Sequence, residues 1–435
     1  MRIFKNVFIA LLLANLFYTF SCNSQDYSQE FITEDIANFW EVYDTIVAIK
    51  DSVERKKIIQ KRYIDKSTEG LKLLMDARRY SADEYIAAIN NYPKFWESIR
   101  TNTTNLEQHF KKINGDIEKL KQLYPDLKPS PIYFSFGVFR SNGTIKNGNV
   151  LIGAEMALLS KDIDVSELPK HIQEFHRLQN PIEDLPLLCT HEYVHTQQKE
   201  MEYYLLNNCL YEGIAEFIAT TATGKQSYLN AIQFAQLNYE EVRNRFEEDL
   251  YKTYFTNWLW SSGKIMGERD LGYGVGYAIA KRNYDQASDK KKAIKEMIEL
   301  EFTDEDKIIS FVDKSGYLSK PLNQLHKDYE NYRPKVTNIT GLENGSESVS
   351  AGRLQLTLHF SEGLDGKNQG LDYGSEGEKT LPKIVGERVW SNENTSWSIT
   401  MDLESGKHYQ LYVTDGFIND KGVQLKPYLI EFWTE

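Results

Sequence analysis

Cysteine is nearly absent: Cys22, Cys189 and Cys209 are the only three in 435 residues. So few thiols cannot build a disulfide scaffold, and the fold must rest on an apolar core of its own. An excess of positive charge is missing too. Asp and Glu number 63 against 51 Lys and Arg, a formal charge of -12, which offers no general attraction to nucleic-acid backbones or anionic lipid. Beyond Cys22 no apolar stretch is long enough to cross a bilayer. Aromatics, by contrast, are plentiful: 13% of the chain, within 41% hydrophobic residues. That composition folds, and the length fits roughly two to four domains.

The chain opens with Arg2 and Lys5, an apolar run from Val7 to Phe20, then Ser21 and Cys22. This is the order of an export signal, and the run falls short of the roughly 18 to 20 residues of a spanning helix. Cys22 stands where a bacterial lipoprotein signal is cut and lipidated. Residues 1–22 are therefore expected to be a signal with a lipobox, placing the protein at the cell envelope through a lipid anchor, with plain secretion as the alternative. In an exported protein, Cys189 and Cys209 are either buried thiols or a bridge between neighbouring helices.

Three regimes follow. Residues 23–128 carry apolar positions every three to four residues, as at Ile36, Phe39, Tyr43 and Ile46, with Thr33 placed to cap the first helix, and they read as helical. Prolines 125, 129 and 131 end that region. In residues 129–333 the stretches 132–139 and 149–152 are rich in β-branched and aromatic residues, separated by turn signals at Ser141-Asn-Gly143 and Asn147-Gly148. They predict a small sheet, and helical periodicity returns from about Leu185 to Leu300. From Pro334 to Glu435 the period becomes two, as in Leu356, Leu358 and Phe360 or Trp397, Ile399 and Met401, which predicts an all-β module.

Chemistry concentrates at Thr190-His191-Glu192-Tyr193-Val194-His195. Residues four apart on a helix lie on one face, so both imidazoles can reach one ion, and Glu192 stands beside them to take a proton from water. A catalytic zinc needs a third protein ligand. Glu212 in Leu210-Tyr-Glu-Gly-Ile-Ala-Glu-Phe-Ile218 falls 17 residues after His195, a gap that fits a turn and a returning helix. Gly213, Ala215 and Ala219 let that helix approach a neighbour closely. Glu212 would ligate zinc, with Glu216 in reserve or accepting the outer N–H of a ligand His.

HExxH followed by EGxAEF resembles the gluzincin peptidases, and YEGIAEF is similar to the NEGFAEY of zinc aminopeptidases. The His-to-Glu gap is slightly shorter here and the exopeptidase signature is missing, so cleavage from a free N-terminus is not implied; the leading expectation is an endopeptidase. A closer likeness, over residues 30 to 330, is to predicted secreted bacterial zinc proteases with an HExxH helix, an EGxAE helix and a later GYxxGY element, here Leu271-Gly-Tyr-Gly-Val-Gly-Tyr277. The gluzincin resemblance implies a Tyr or His that stabilises the oxyanion, with Tyr273 favoured, Tyr277 next and His326 a weaker candidate. Residues 334–435, with PKVTNITG and LQLTLHFSEGLD, resemble bacterial Ig-like domains. The expected fold is thus α+β: a mostly helical zincin-like metallopeptidase with a small sheet, followed by an Ig-like sandwich. The expected cofactor is Zn2+ and the partner a peptide or protein substrate; an edge strand of the sheet could hold it. The competing readings are another zinc amide or ester hydrolase, and a surface lipoprotein with a binding or adhesion role and a structural zinc.

Overall fold

The computed structural model describes residues 29–202, 204–252, 256–260 and 263–435, so the expected signal and Cys22 lie outside the described residues. Strand β1 (Phe31–Ile32) precedes six helices, α1 (Glu34–Ile46), α2 (Ser52–Ile59), α3 (Glu69–Arg78), α4 (Ala82–Asn91), α5 (Pro93–Thr104) and α6 (Phe110–Leu123). Local chemistry sets their ends. Ser81 and Glu84 form a reciprocal capping box on α4, and Pro93 opens α5 where its missing N–H is not needed. Thr33, expected to cap α1, makes no side-chain cap; its own N–H donates to Glu34 instead.

Strands β2 (Ile132–Ser135), β3 (Gly143–Lys146) and β4 (Asn149–Gly153) complete a sheet of order β1-β2-β4-β3. β1, β2 and β4 run parallel, while β3 is antiparallel to β4 and forms the edge. The β3–β4 turn uses Asn147 and Gly148, both with positive φ, as a two-residue hairpin of the right twist demands. Two sequence expectations fail here. Gly143 begins a strand rather than a turn, and residues 136–139 do not extend β2. Their backbone is claimed by side chains: Tyr63 and Tyr85 hydroxyls donate to the Phe136 carbonyl, and Glu155 accepts from the N–H groups of Gly137 and Phe139 at 2.9 and 3.0 Å. A ladder is therefore replaced by side-chain satisfaction of the same groups.

Glu155 lies in the short helix α7 (Ala154–Ala157) and is fully buried. Burial pushes its carboxyl up to about 7, against the pull of those two N–H donors. The folded state thus holds this proton where the unfolded chain has lost it. Stability should fall by about 3 kcal/mol as pH rises from 4.5 to 7 and be level above. Glu155→Gln keeps an acceptor for the loop and removes the titration. Urea midpoints at pH 5 and pH 8 are expected to show the variant gaining on the wild type only at pH 8; parallel pH dependences would refute this account of the loop.

Helices α8 (Lys170–Leu178), α9 (Pro181–His195), α10 (Leu205–Thr223), α11 (Asn230–Leu237), α12 (Tyr239–Asp249), α13 (Leu271–Gln286), α14 (Lys290–Ile298), α15 (Glu305–Ser315) and α16 (Leu322–Tyr332) follow. One apolar cluster, from Ile36 to Leu322, joins all of this to the N-terminal helices. Every residue of α9 from Leu185 to His195 is buried, which makes it the central helix of the body. α10 packs on α13 at a glycine crossing. A Cβ at Gly213 would stand 2.2 Å from the Gly276 backbone, and one at Gly276 1.7 Å from the Cys209 carbonyl. The small residues of EGIAEF therefore serve contact with α13.

Strands β5 (Val336–Thr340), β6 (Gly352–Phe360), β7 (Leu371–Tyr373), β8 (Lys383–Trp390), β9 (Ser396–Leu403), β10 (His408–Val413) and β11 (Tyr428–Trp433) form two antiparallel sheets, β5-β6-β9-β8 and β11-β10-β7. The inward residues of both, among them Leu358, Trp397, Leu411 and Phe432, share a second apolar cluster. The molecule is thus mixed α and β with several small sheets. Among the described residues, no helix is long and apolar enough to cross a membrane.

Candidate metal centre

α9 puts His191 and His195 one turn apart, and α10 brings Glu212 to them. The two Nε2 atoms lie 3.0 Å apart, and Glu212 Oε2 is 3.3 Å from each. All three residues are buried. Three electron-pair donors facing one point out of water would repel one another unless a cation or proton sat between them. A tetrahedral ion with ligands at about 2.0 to 2.1 Å sets its donors roughly 3.3 to 3.4 Å apart; the two edges to Glu212, at 3.3 Å, match that spacing and the edge between the imidazoles, at 3.0 Å, is somewhat shorter. The residues therefore fit a divalent metal.

The outer edges of both rings are engaged as well. His191 Nδ1 lies 2.8 Å from Glu216 Oε2, and His195 Nδ1 lies 2.6 Å from Gln198 Oε1. An acceptor at Nδ1 fixes the tautomer that turns the Nε2 lone pair inward. Gln198 is itself oriented, its amide donating to the Tyr211 carbonyl, while the Tyr211 ring stacks on His195 at 4.3 Å. Neither Gln198 nor Tyr211 was expected from the sequence; the only local signals are their positions, three after His195 and one before Glu212.

Electrostatics follow from this packing. Burial alone would lower the His191 pKa, but hydrogen bonds to Glu212 and Glu216 raise it well above the ordinary imidazole value. Burial would raise Glu212, yet the charge of His195 and bonds to both rings hold it far below the usual carboxylate range. Glu192 is pushed up, chiefly by burial, against the pull of the two imidazoles.

Glu192 lies under the edge strand: a Cβ on Gly143 would stand 2.7 Å from Glu192 Oε1. Glu192 Cγ would stand only 2.8 Å away as well, so Gly143→Ala must shift the whole Glu192 side chain and displace its carboxylate. If Glu192 acts as a general base on a metal-bound water here, the variant should lose turnover by about 10- to 100-fold while binding added zinc as the wild type does. Wild-type turnover in that variant would show that the contact with β3 does not position Glu192.

Tyr273, in the first turn of α13, has its ring centre 6.3 Å from that of His191. Burial, then the charge of Glu212, pushes its phenol well above the ordinary value, so it stays protonated at neutral pH. The glycines around it are packing devices: Gly272 faces Cys209, Gly274 faces Ala231 and Ala235, and Gly276 faces Cys209 and Gly213. Tyr277 points elsewhere, its hydroxyl 3.3 Å from Thr220 Oγ1 and its ring on Phe217. His326 is also apart from the triad, packed on Tyr251 in a cleft lined by Asp415 and Gln424. Burial, then the charges of Glu216 and Glu192, push up the phenol of Tyr228, a residue unmarked by the sequence. Cys189 and Cys209 are free and buried, so no bridge joins α9 to α10.

A second group, Glu376, His408 and Glu431, is more exposed. There His408 spends one ring nitrogen on each carboxylate, at 3.3 and 2.9 Å, and Gln410 donates to Glu431, so the network closes on itself.

No family model matches the chain, and no curated protein matches it. Among solved structures, the S-layer protein rSbsC(31-844) aligns with it at 13% identity and a TM-score of 0.17, over 75% of this chain and 45% of that one, so this chain spans less than half of that structure.

Proposed function

We propose that this chain is a zinc-dependent peptidase, an endopeptidase of the gluzincin type, with His191, His195 and Glu212 as the metal ligands. The observation that carries the reading is the buried triangle of two imidazole nitrogens and one carboxylate oxygen, 3.0 to 3.3 Å on its edges, next to Glu192. When bound, zinc supplies Lewis-acid polarisation of a carbonyl oxygen and lowers the pKa of water. Glu192 takes the proton of the attacking water and passes it to the leaving amine. The Tyr273 phenol donates to the oxygen on which negative charge develops. β3, at the sheet edge and above Glu192, offers backbone groups to an extended peptide, which holds a substrate without demanding one side chain.

The finer architecture belongs to the same proposal. Residues 129–333 form the zinc peptidase core, preceded by the N-terminal helical region 23–128, and residues 334–435 form an Ig-like module that acts as spacer or binding appendage. Residues 1–22 direct export, with Cys22 carrying a lipid at the cell envelope. The test is metal content by mass spectrometry together with cleavage of a broad peptide panel, before and after a chelator and after zinc is restored. Cleavage that tracks zinc supports the reading. Stoichiometric zinc with every peptide intact would overturn it in favour of a structural site in a binding protein.

A further inference from the structure

Trp260 lies eleven residues before the start of α13, about half exposed at 47%, with its backbone at φ +56. A bulky side chain rarely accepts that left-handed conformation, so something must hold it there. Its N–H donates to Asp270 Oδ1 at 2.8 Å, and Asp270, itself at φ +57, heads α13. The Asp270 carbonyl in turn accepts from the N–H of Tyr273. The indole is thereby delivered onto the phenol: Trp260 Nε1 donates to the Tyr273 hydroxyl at 3.2 Å.

An indole N–H can only donate, and a phenol has one proton of its own. Where the indole donates, the phenol oxygen must accept, and its proton is left for another partner. The Tyr273 ring lies 6.3 Å from that of His191, beside the His191–His195–Glu212 centre, and Glu212 is the carboxylate whose charge bears most on its phenol. We infer that Trp260 is a positioning residue for Tyr273, its indole N–H occupying the phenol oxygen so that the phenol proton is aimed into the His191–His195–Glu212 centre, at the place a substrate carbonyl oxygen would take. This inference rests on the peptidase reading for its catalytic consequence, though not for the pairing itself. A ligating Glu212 has less electron density to offer that proton, which leaves it to the substrate.

The first test is free of activity. In the metal-free full chain, the Trp260 indole 1H–15N resonance is the one of seven that vanishes in Trp260→Phe. In Tyr273→Phe, which removes the acceptor, that resonance should move upfield and exchange faster with water. The second test uses zinc-loaded protein. Trp260→Phe should lower kcat by about tenfold with KM changed less than about twofold, and should add nothing further in the Tyr273→Phe background. An indole resonance unmoved by Tyr273→Phe overturns the inference whatever the protein hydrolyses. So does full additivity of the two substitutions in kcat. A wild type inert on every peptide, with the indole shift intact, instead overturns the peptidase reading and leaves the pairing standing.

Discussion

Glu192→Gln is expected to bind zinc as the wild type does and to lose peptide hydrolysis by about a thousandfold. The amide matches the carboxylate in shape, so it fits under Gly143 without disturbing α9. It cannot take up a proton, and that is the property the chemistry needs. The pKa shift supports the assignment: burial raises Glu192 while the two imidazoles oppose the rise. A dication beside it would oppose it further and keep the base ionised at neutral pH. The loss of kcat should therefore hold across the pH range rather than appear as a shifted acid limb. Equal turnover in both proteins, at equal zinc content, would remove Glu192 from the mechanism and leave the HExxH pattern a metal-binding one only.

What the sequence made legible was set by short-range rules. Two His four apart on an apolar helix must share a face, and Glu212 follows at a gap that fits a turn and a returning helix, with Glu216 one turn on in reserve, so spacing pointed to His191, His195 and Glu212. The alternating runs after Pro334 announced two-faced strands for the same reason. What stayed hidden depends on contacts far apart in the chain. Residues 136–139 look like strand but are captured by Tyr63, Tyr85 and Glu155. Nothing in the sequence singles out Trp260, and only the fold sets its indole against a phenol thirteen residues on. Gly143 reads as a turn residue until the carboxylate behind it is seen.

The second large effect concerns the metal and its competition with protons. Glu212→Ala should abolish zinc binding, because it leaves two imidazoles alone to hold a dication. Glu216→Gln keeps all three donors and loosens only the His191 support, so affinity should fall by about 10- to 100-fold. In the metal-free protein the raised His191 pKa contributes stability that is complete below the unfolded value of about 6.5 and is lost as pH climbs through the raised folded value. The depressed Glu212 pKa contributes stability present above about 4.3 and lost only in stronger acid. Zinc must displace the His191 proton, so its binding weakens as pH falls and strengthens as pH rises. At zinc a thousandfold above its Kd, the loaded protein should be more stable by about 4 kcal/mol. The thermal gap between loaded and metal-free protein, followed from pH 6 to pH 9, should widen, because above the unfolded imidazole value of about 6.5 the metal-free form is progressively destabilised while zinc meets less competition from the His191 proton. A gap of constant size would mean that zinc does not replace a proton on His191. No gap at all in the wild type, or an undiminished one in Glu212→Ala, would mean that zinc is not held by this triad.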